Sequence, residues 1–275
     1  MRVATQDKPF FPEEWDQKLA AVKELGFDGF EIEGKSLLNQ FSKVQKAIER
    51  TRLPIIGICG GYRGWIGDFD RKQRIQALDD IKQMLQAAKE LGIAGIVAPA
   101  AWGMFSLRLP PTVPPRTREE DRAVLLESLA ILNHAAQETQ TWIFLEPLNR
   151  YEDHMINTLS DAHSLIQEGG WDRVLITADF YHMNIEENQI PDTIRAYGPK
   201  IGHVHLADNH RYEPGTGHTN FLSGIQALHE NGYAGVLTFE CRVIGYPPLD
   251  AYRKSLDYIR TLIFNTESRW GSDPG

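Results

Sequence analysis

The chain has 275 residues, a formal net charge of −8, 42% hydrophobic and 24% charged residues, the proportions of a soluble globular protein. The acidic balance, with Lys and Arg scattered, excludes the basic footprint of a nucleic-acid binder. No apolar run approaches the ~18 residues of a membrane span, the opening MRVATQDKPFF lacks the apolar core of an export signal, and Cys59 and Cys241 make no disulfide framework; a cytoplasmic protein acting on a small molecule is expected.

Apolar runs and the 3.6-residue period predict a plain alternation of strands and helices. Strand Val3–Thr5 leads to helix Glu13–Leu25, Gly29–Ile32 to Leu38–Thr51, Ile55–Ile58 to Arg71–Leu91, and Ile96–Ala98 to Glu119–Thr139. Then Trp142–Leu145 leads to Ser160–Glu168, Val174–Ala178 to Asp192–Tyr197, Gly202–Leu206 to Phe221–Asn231, and Val236–Phe239 to Leu249–Phe264. Ser160 and Asp192 are the expected N-caps. Three related segments, ELGFDGFEIE, ELGIAGIVAP and ENGYAGVLTFE, each read as a helix stopped by glycine, an apolar residue folding back, and a strand.

Eight such units predict an α/β fold, a single (β/α)8 TIM barrel over residues 1–265 with a loose polar tail at 266–275. An open doubly wound sheet would need a glycine-rich phosphate loop after the first strand, and ATQDKPFF has none. Two long βα loops, 60–70 and 101–121, fall on the face where barrel active sites lie. The second holds four prolines and reads as stiff.

The last four strands end on chemistry. TWIFLEP places Glu146 at the end of strand 5, VLITAD places Asp179 at the end of strand 6, and GVLTFE places Glu240 after strand 8. In IGHVHLAD, alternation points His203 and His205 the same way, with His205 nearer the C-terminal end. Barrel closure brings such ends together, and three carboxylates that close need a counter-charge. A single divalent metal held by Glu146, Asp179, His205 and Glu240 supplies it. Three carboxylates and one imidazole suit Mn²⁺ best, with Mg²⁺, Co²⁺ or Zn²⁺ as alternatives. Taken singly, an acid closing a strand is more often a cap or an ion-pair partner, and a lone histidine a core residue; four on adjacent strands are not so easily placed.

The motifs LEPLNRYEDHMINT, ADFYHMNIEE, GHVHLADNHR with the following PGTG, and TFE resemble the xylose-isomerase-like barrel superfamily, most nearly its D-tagatose and D-psicose (allulose) 3-epimerase branch. The resemblance is dense in the C-terminal half; the N-terminal half matches only in its βα rhythm. It implies the same four metal ligands, with Glu146 and Glu240 doubling as the proton-transfer pair. It also implies that Glu152, His182 and Arg211 hold substrate hydroxyls. On the bland reading, Glu152 pairs with Arg150 and Arg211 is a solvated loop residue. The run NIEE (184–187) carries no chemical role and reads as a helix start or an interface. Trp65, Trp102 and Phe105 either line a sugar pocket or cover the barrel top, and Cys59 reads as packing.

The expected activity is therefore an isomerase reaction, metal-dependent epimerisation or isomerisation of a ketose or related keto-sugar through a metal-stabilised enediolate, with two glutamates as acid and base. An aldose–ketose isomerase would use the same intermediate, and a dehydratase or inositol-pathway enzyme the same barrel. A non-catalytic sugar-binding barrel is a further class. An endonuclease IV-like nuclease shares Asp179 and His182 but needs histidines on strands 2 and 3, where EIEG and GICGG have none. QDKPFF after strand 1 and the proline-rich loop depart from the epimerase pattern, which leaves chain length and any glycosidic substituent open. Arg63 and Arg242 read as surface charges rather than a phosphate cradle, so an unphosphorylated sugar is expected. Self-association, as a homodimer or a higher homo-oligomer, is also expected.

Overall fold

Eight parallel strands pair in sequence order in the computed structural model, and the last returns to the first to close a barrel. The structure describes residues 1–107, 109–110 and 112–270. The strands are β1 (Arg2–Thr5), β2 (Gly29–Ile32), β3 (Ile55–Cys59), β4 (Gly95–Pro99), β5 (Trp142–Glu146), β6 (Val174–Asp179), β7 (Ile201–Leu206) and β8 (Val236–Phe239). At the closing seam Val3 lies opposite Leu237 and Thr5 opposite Phe239. The strands read as largely apolar runs, interrupted by Glu31 in β2, His203 and His205 in β7 and the acids that end β5 and β6, because the barrel interior and the helices around it keep both faces from water.

The helices among the described residues are α1 (Trp15–Leu25), α2 (Gly34–Asn39), α3 (Phe41–Thr51), α4 (Arg71–Leu91), α5 (Arg118–Thr139), α6 (Leu159–Gly169), α7 (Phe180–Glu186), α8 (Ile190–Tyr197), α9 (Phe221–Glu230) and α10 (Pro248–Trp270). Their inner faces, with Leu19, Val22, Val44, Ile81, Met84, Leu129, Phe221 and Tyr252 buried, form the main core against the strands. The three glycine-stopped segments behave as expected: Gly26, Gly92 and Gly232 take left-handed φ of 104°, 69° and 72°. The next residue's N–H then reaches back in each case, from Phe27 to Val22, Ile93 to Ala88 and Tyr233 to Leu228.

Several boundaries differ from expectation, each for a local reason. The helix expected over 38–51 is two helices, because Gln40 leaves helical geometry at φ −126° and Glu33 caps an extra turn by accepting from the Ser36 N–H. The N-cap of α6 is Thr158, not Ser160, in a reciprocal capping box with Asp161. Asp192 is not a cap either; α8 starts at Ile190 after Gln189, and Asp192 pairs with Arg195 inside it. The loose tail expected from residue 266 is absent over 266–270, where α10 continues. Thr266 is buried, and Glu267 takes the terminal amino group of Met1 at 2.6 Å. Residues 271–275 lie outside the described ones. No helix of the described residues is long and apolar enough to cross a membrane.

Candidate metal and active site

β5 ends on Glu146, β6 ends on Asp179, His205 is the penultimate residue of β7, and Glu240 directly follows β8. One ligand-capable atom from each lies within 4.8 Å of all the others. Glu146, Asp179 and His205 are buried and Glu240 is half-buried. Nδ1 of His205 stands 2.9 Å from Oε1 of Glu146 and 2.9 Å from Oε2 of Glu240. Burial pushes Glu146 up to about 7, with Glu240 and Asp179 adding to the rise and His205 opposing it. Burial also pushes Glu240 up, but the Arg211 guanidinium and His205 outweigh it and hold that carboxylate well below its usual range. Two glutamates in one site thus sit in unlike environments.

The donor set fits a divalent cation. Three carboxylates and an imidazole converge, and the one guanidinium facing them cannot balance three like charges. That guanidinium belongs to Arg211, whose Nη1 donates to Asp179 at 2.5 Å and whose Nη2 donates to Glu240 at 2.6 Å. Its ring neighbour is Tyr181, 4.7 Å below the guanidinium. Arg211 holds a left-handed φ of 65°, unusual for a side chain this large. The loop is tied by Asp208, whose carboxylate accepts from the N–H groups of Asn209, Gly215, Gly217 and Thr219. Gly217 has to be glycine for this: a Cβ there would come within 2.4 Å of Oδ1 of Asp208.

The other two residues singled out for the substrate also converge on the mouth. Nδ1 of His182 lies 3.0 Å from the Asn149 backbone N–H and accepts from it, which leaves Nε2 as the donor, 3.6 Å from Asp179. Glu152 accepts from the Asn149 side-chain amide at 2.9 Å and from the Trp102 indole at 2.9 Å. It does not pair with Arg150, which is taken by Glu186. The acidic pair of NIEE is thereby placed: Glu186 ties the β5 loop, and Glu187 accepts from the Leu159 N–H at the start of α6. An open pocket of about 740 Å³ lies over the cluster, lined by Gln6, Trp102, Tyr151, Glu152, Arg211 and Arg242 among others. Trp65 meets Tyr62 edge-on and Trp102 at a tilt, whereas Phe105 packs on His154 under the loop and not in the pocket. Arg242, expected as an ordinary surface charge, stands on the pocket rim.

Sequence reasoning missed Glu31, Gln6 and Asn149. Glu31, in β2, is 1% exposed and lies 2.9 Å from Nε2 of His205 and 2.7 Å from Nε2 of His203. Burial would raise its pKa, but the two imidazoles hold it below the ordinary range. The signal was present in EIEG: a carboxylate in an otherwise apolar strand needs a partner. Gln6 links Glu31 and Glu240 through its amide, at 2.8 and 3.1 Å. Nothing in the sequence ties Asn149 to His182, since only the folded β5 loop brings them together.

With this geometry in view, similarity to known proteins is specific. A model of the xylose isomerase-like TIM barrel family matches residues 19–262. The chain belongs to that family. Among its relatives, the 3-dehydro-D-guloside 4-epimerase of Escherichia coli K12 is 48% identical over 261 residues, 95% of this chain and 100% of the relative. The L-ribulose 3-epimerase of Mesorhizobium japonicum is 30% identical over 235 residues, 82% of this chain and 75% of that one. Of the solved structures, the apo form of 3-keto-D-glucoside 4-epimerase from E. coli superposes with a TM-score of 0.93 at 48% identity, covering 95% of this chain and 99% of that one.

Proposed function

We propose that the protein is a divalent-metal-dependent epimerase of a keto-glycoside, inverting the carbon next to the keto group, with a 3-keto-hexoside inverted at C4 as the preferred reaction. The chain is an isomerase-class enzyme, a sugar epimerase by its relatives. The observation that carries the reading is the convergence of Glu146, Asp179, His205 and Glu240 within 4.8 Å beneath an open pocket. Near-full-length similarity to a guloside 4-epimerase favours the glycoside over a free sugar.

These four residues would hold the ion, and Mn²⁺ suits their hard oxygen donors and single imidazole. Bound there, a divalent cation supplies Lewis-acid stabilisation of the negative charge that develops on the substrate's keto oxygen. The protein supplies the proton traffic. One glutamate takes the proton α to the ketone from one face of the ring, and the other returns a proton to the opposite face. Glu146 ends β5 and Glu240 directly follows β8; for inversion the two would reach the substrate from opposite faces. Arg211 and Glu152 line the pocket, and His182 lies buried beside Asp179; the three would hold substrate hydroxyls. Arg63 is taken up by Asp80 and Arg211 by two carboxylates, and Arg242 on the rim makes no cluster with them of the kind a phosphate asks for, which supports an unphosphorylated substrate. Exposed apolar side chains at Leu109, Val113, Ile244 and Tyr246 support self-association.

Turnover in D₂O tests the reaction. A 3-keto-glucoside should gain deuterium at C4, and chelation should stop it. A free ketose labelled at C3 instead would favour the second reading, a ketose 3-epimerase, which the L-ribulose 3-epimerase likeness supports. Undiminished exchange after chelation would overturn both.

A further inference from the structure

Glu31 stands between Phe30 and Ile32 in β2, in a barrel interior where an ionised carboxylate is costly unless fully paired. It is not one of the four residues proposed to hold the ion, and no step of the proposed reaction uses it. Yet three elements are arranged around it. From β7 come two imidazoles, His205 with Nε2 at 2.9 Å from Oε2 and His203 with Nε2 at 2.7 Å from Oε1. After β1, the Gln6 amide donates to Oε2 at 2.8 Å. On β3, a Cβ at Gly57 would come within 3.0 Å of Oε1, so glycine there gives Glu31 its space.

The contact that matters is on His205. Its Nδ1 faces Glu146 and Glu240, while its Nε2 faces Glu31. A neutral imidazole has one donor nitrogen and one acceptor nitrogen. Carboxylates stand at both nitrogens, but with an ion held among Glu146, Asp179 and Glu240 the remaining hydrogen would lie on Nε2, where Glu31 accepts it, and the Nδ1 lone pair would point into the cluster. We infer that Glu31 is a positioning residue for the metal centre, fixing the tautomer and ring plane of His205 so that Nδ1 is presented to the ion. The inference rests on the metal reading of the four-residue cluster. The Gln6 amide extends the same support, since it also donates to Glu240.

Glu31, His203 and His205 also lie close enough to hold an ion of their own. That arrangement would require His205 to give both nitrogens to cations and carry no ring hydrogen. The donor that Glu31 accepts from would be lost. One ion with a supported histidine keeps the hydrogen on Nε2 of His205 that Glu31 accepts.

The test uses full-length protein stripped of metal. Mn²⁺ affinity and stoichiometry are measured by calorimetry for wild type, Glu31→Gln and Glu31→Ala. Histidine side-chain ¹H–¹⁵N spectra are recorded on the Zn²⁺-loaded, diamagnetic forms. We expect one ion per chain and an Nε2–H signal for His205 in the wild type. Glu31→Ala should bind Mn²⁺ about 10- to 100-fold more weakly and lose that protected signal. Glu31→Gln, whose amide oxygen still accepts from Nε2–H, should lose less; this near-isosteric change keeps the test valid if the alanine variant does not fold. Wild-type affinity in both variants, a His205 hydrogen on Nδ1, or two ions per wild-type chain would overturn the inference. A wild type that binds no ion would overturn the metal reading itself, a distinguishable result.

Discussion

Two buried clusters in this molecule are built from the same residue types. At the barrel mouth, Glu146, Asp179 and Glu240 face His205 and the guanidinium of Arg211. Under the loop after β4, Asp121 and Asp153 face His154 and Arg116. There Arg116 Nε lies 2.7 Å from Asp121, and His154 lies 3.0 Å from Asp121 and 3.6 Å from Asp153. The second cluster matches two acids with two bases and closes them against the rings of Phe69 and Phe105. A cavity of about 440 Å³ opens beside it, but its charge is already balanced. In the first, three acids are in contact with two bases beneath an open pocket. Charge stoichiometry, more than residue type, separates a cluster that ties a loop down from one that calls for a cation.

The comparison breaks first at the glutamates. Glu146→Gln and Glu240→Gln should each lower α-proton exchange by about 10²- to 10⁴-fold, the usual worth of a general acid or base, with the thermal transition little changed. A variant within tenfold of wild type would remove that residue from the proton-transfer pair. In the balanced cluster the effect should fall on stability instead. Asp121→Ala leaves Arg116 and His154 buried without their shared acid and should cost about 3–5 kcal/mol of folding stability. Its kcat/KM, measured well below the lowered melting temperature, should stay within about twofold of wild type; a larger loss would tie this cluster to the chemistry. Next in size is the response to metal. Mn²⁺ at 100 times its Kd should add about 2.7 kcal/mol to the metal-free protein, and Asp179→Asn should shrink that gain. Equal melting curves with and without Mn²⁺ would mean that the surplus acid is not a cation site.

How much of this was legible in the sequence follows from the same contrast. The four mouth residues were legible because parallel closure places consecutive strand ends side by side, so one residue per strand is enough. Glu31 offered the same signal in β2 and was passed over, since its function runs through His205 and not through the pocket. The helix α7 was hidden because Asp179 does two things: it ends β6 and caps the helix by accepting from the Tyr181 N–H. Arg211 was placed by its motif, but its grip on two carboxylates depends on a left-handed backbone that Asp208 holds through four N–H groups. The balanced cluster left no trace, because Arg116 and Asp121 meet His154 across more than 30 residues with no period to betray it.

The finest test of the comparison is pH. Burial pulls His154 down, but the hydrogen bond to Asp121 and the Asp153 carboxylate beside the ring outweigh it and carry the imidazole from 6.5 to about 9. A folded-state pKa above the unfolded one means that the fold favours the protonated form. The stabilisation is fully present below about pH 6.5, the unfolded histidine value. It is lost progressively as pH rises to about 9 and is gone above that. The melting temperature of the metal-free protein should therefore fall across this window, by on the order of 2–4 °C for each kcal/mol lost in a chain of this size. Glu146 titrates in the same range, so the informative quantity is the difference from His154→Asn, in which the Glu146 contribution cancels. That variant should melt lower than wild type at pH 6 and converge on it by pH 9. A constant gap across the window would show that His154 carries no charge there, and the balance of two acids against two bases would no longer describe this cluster.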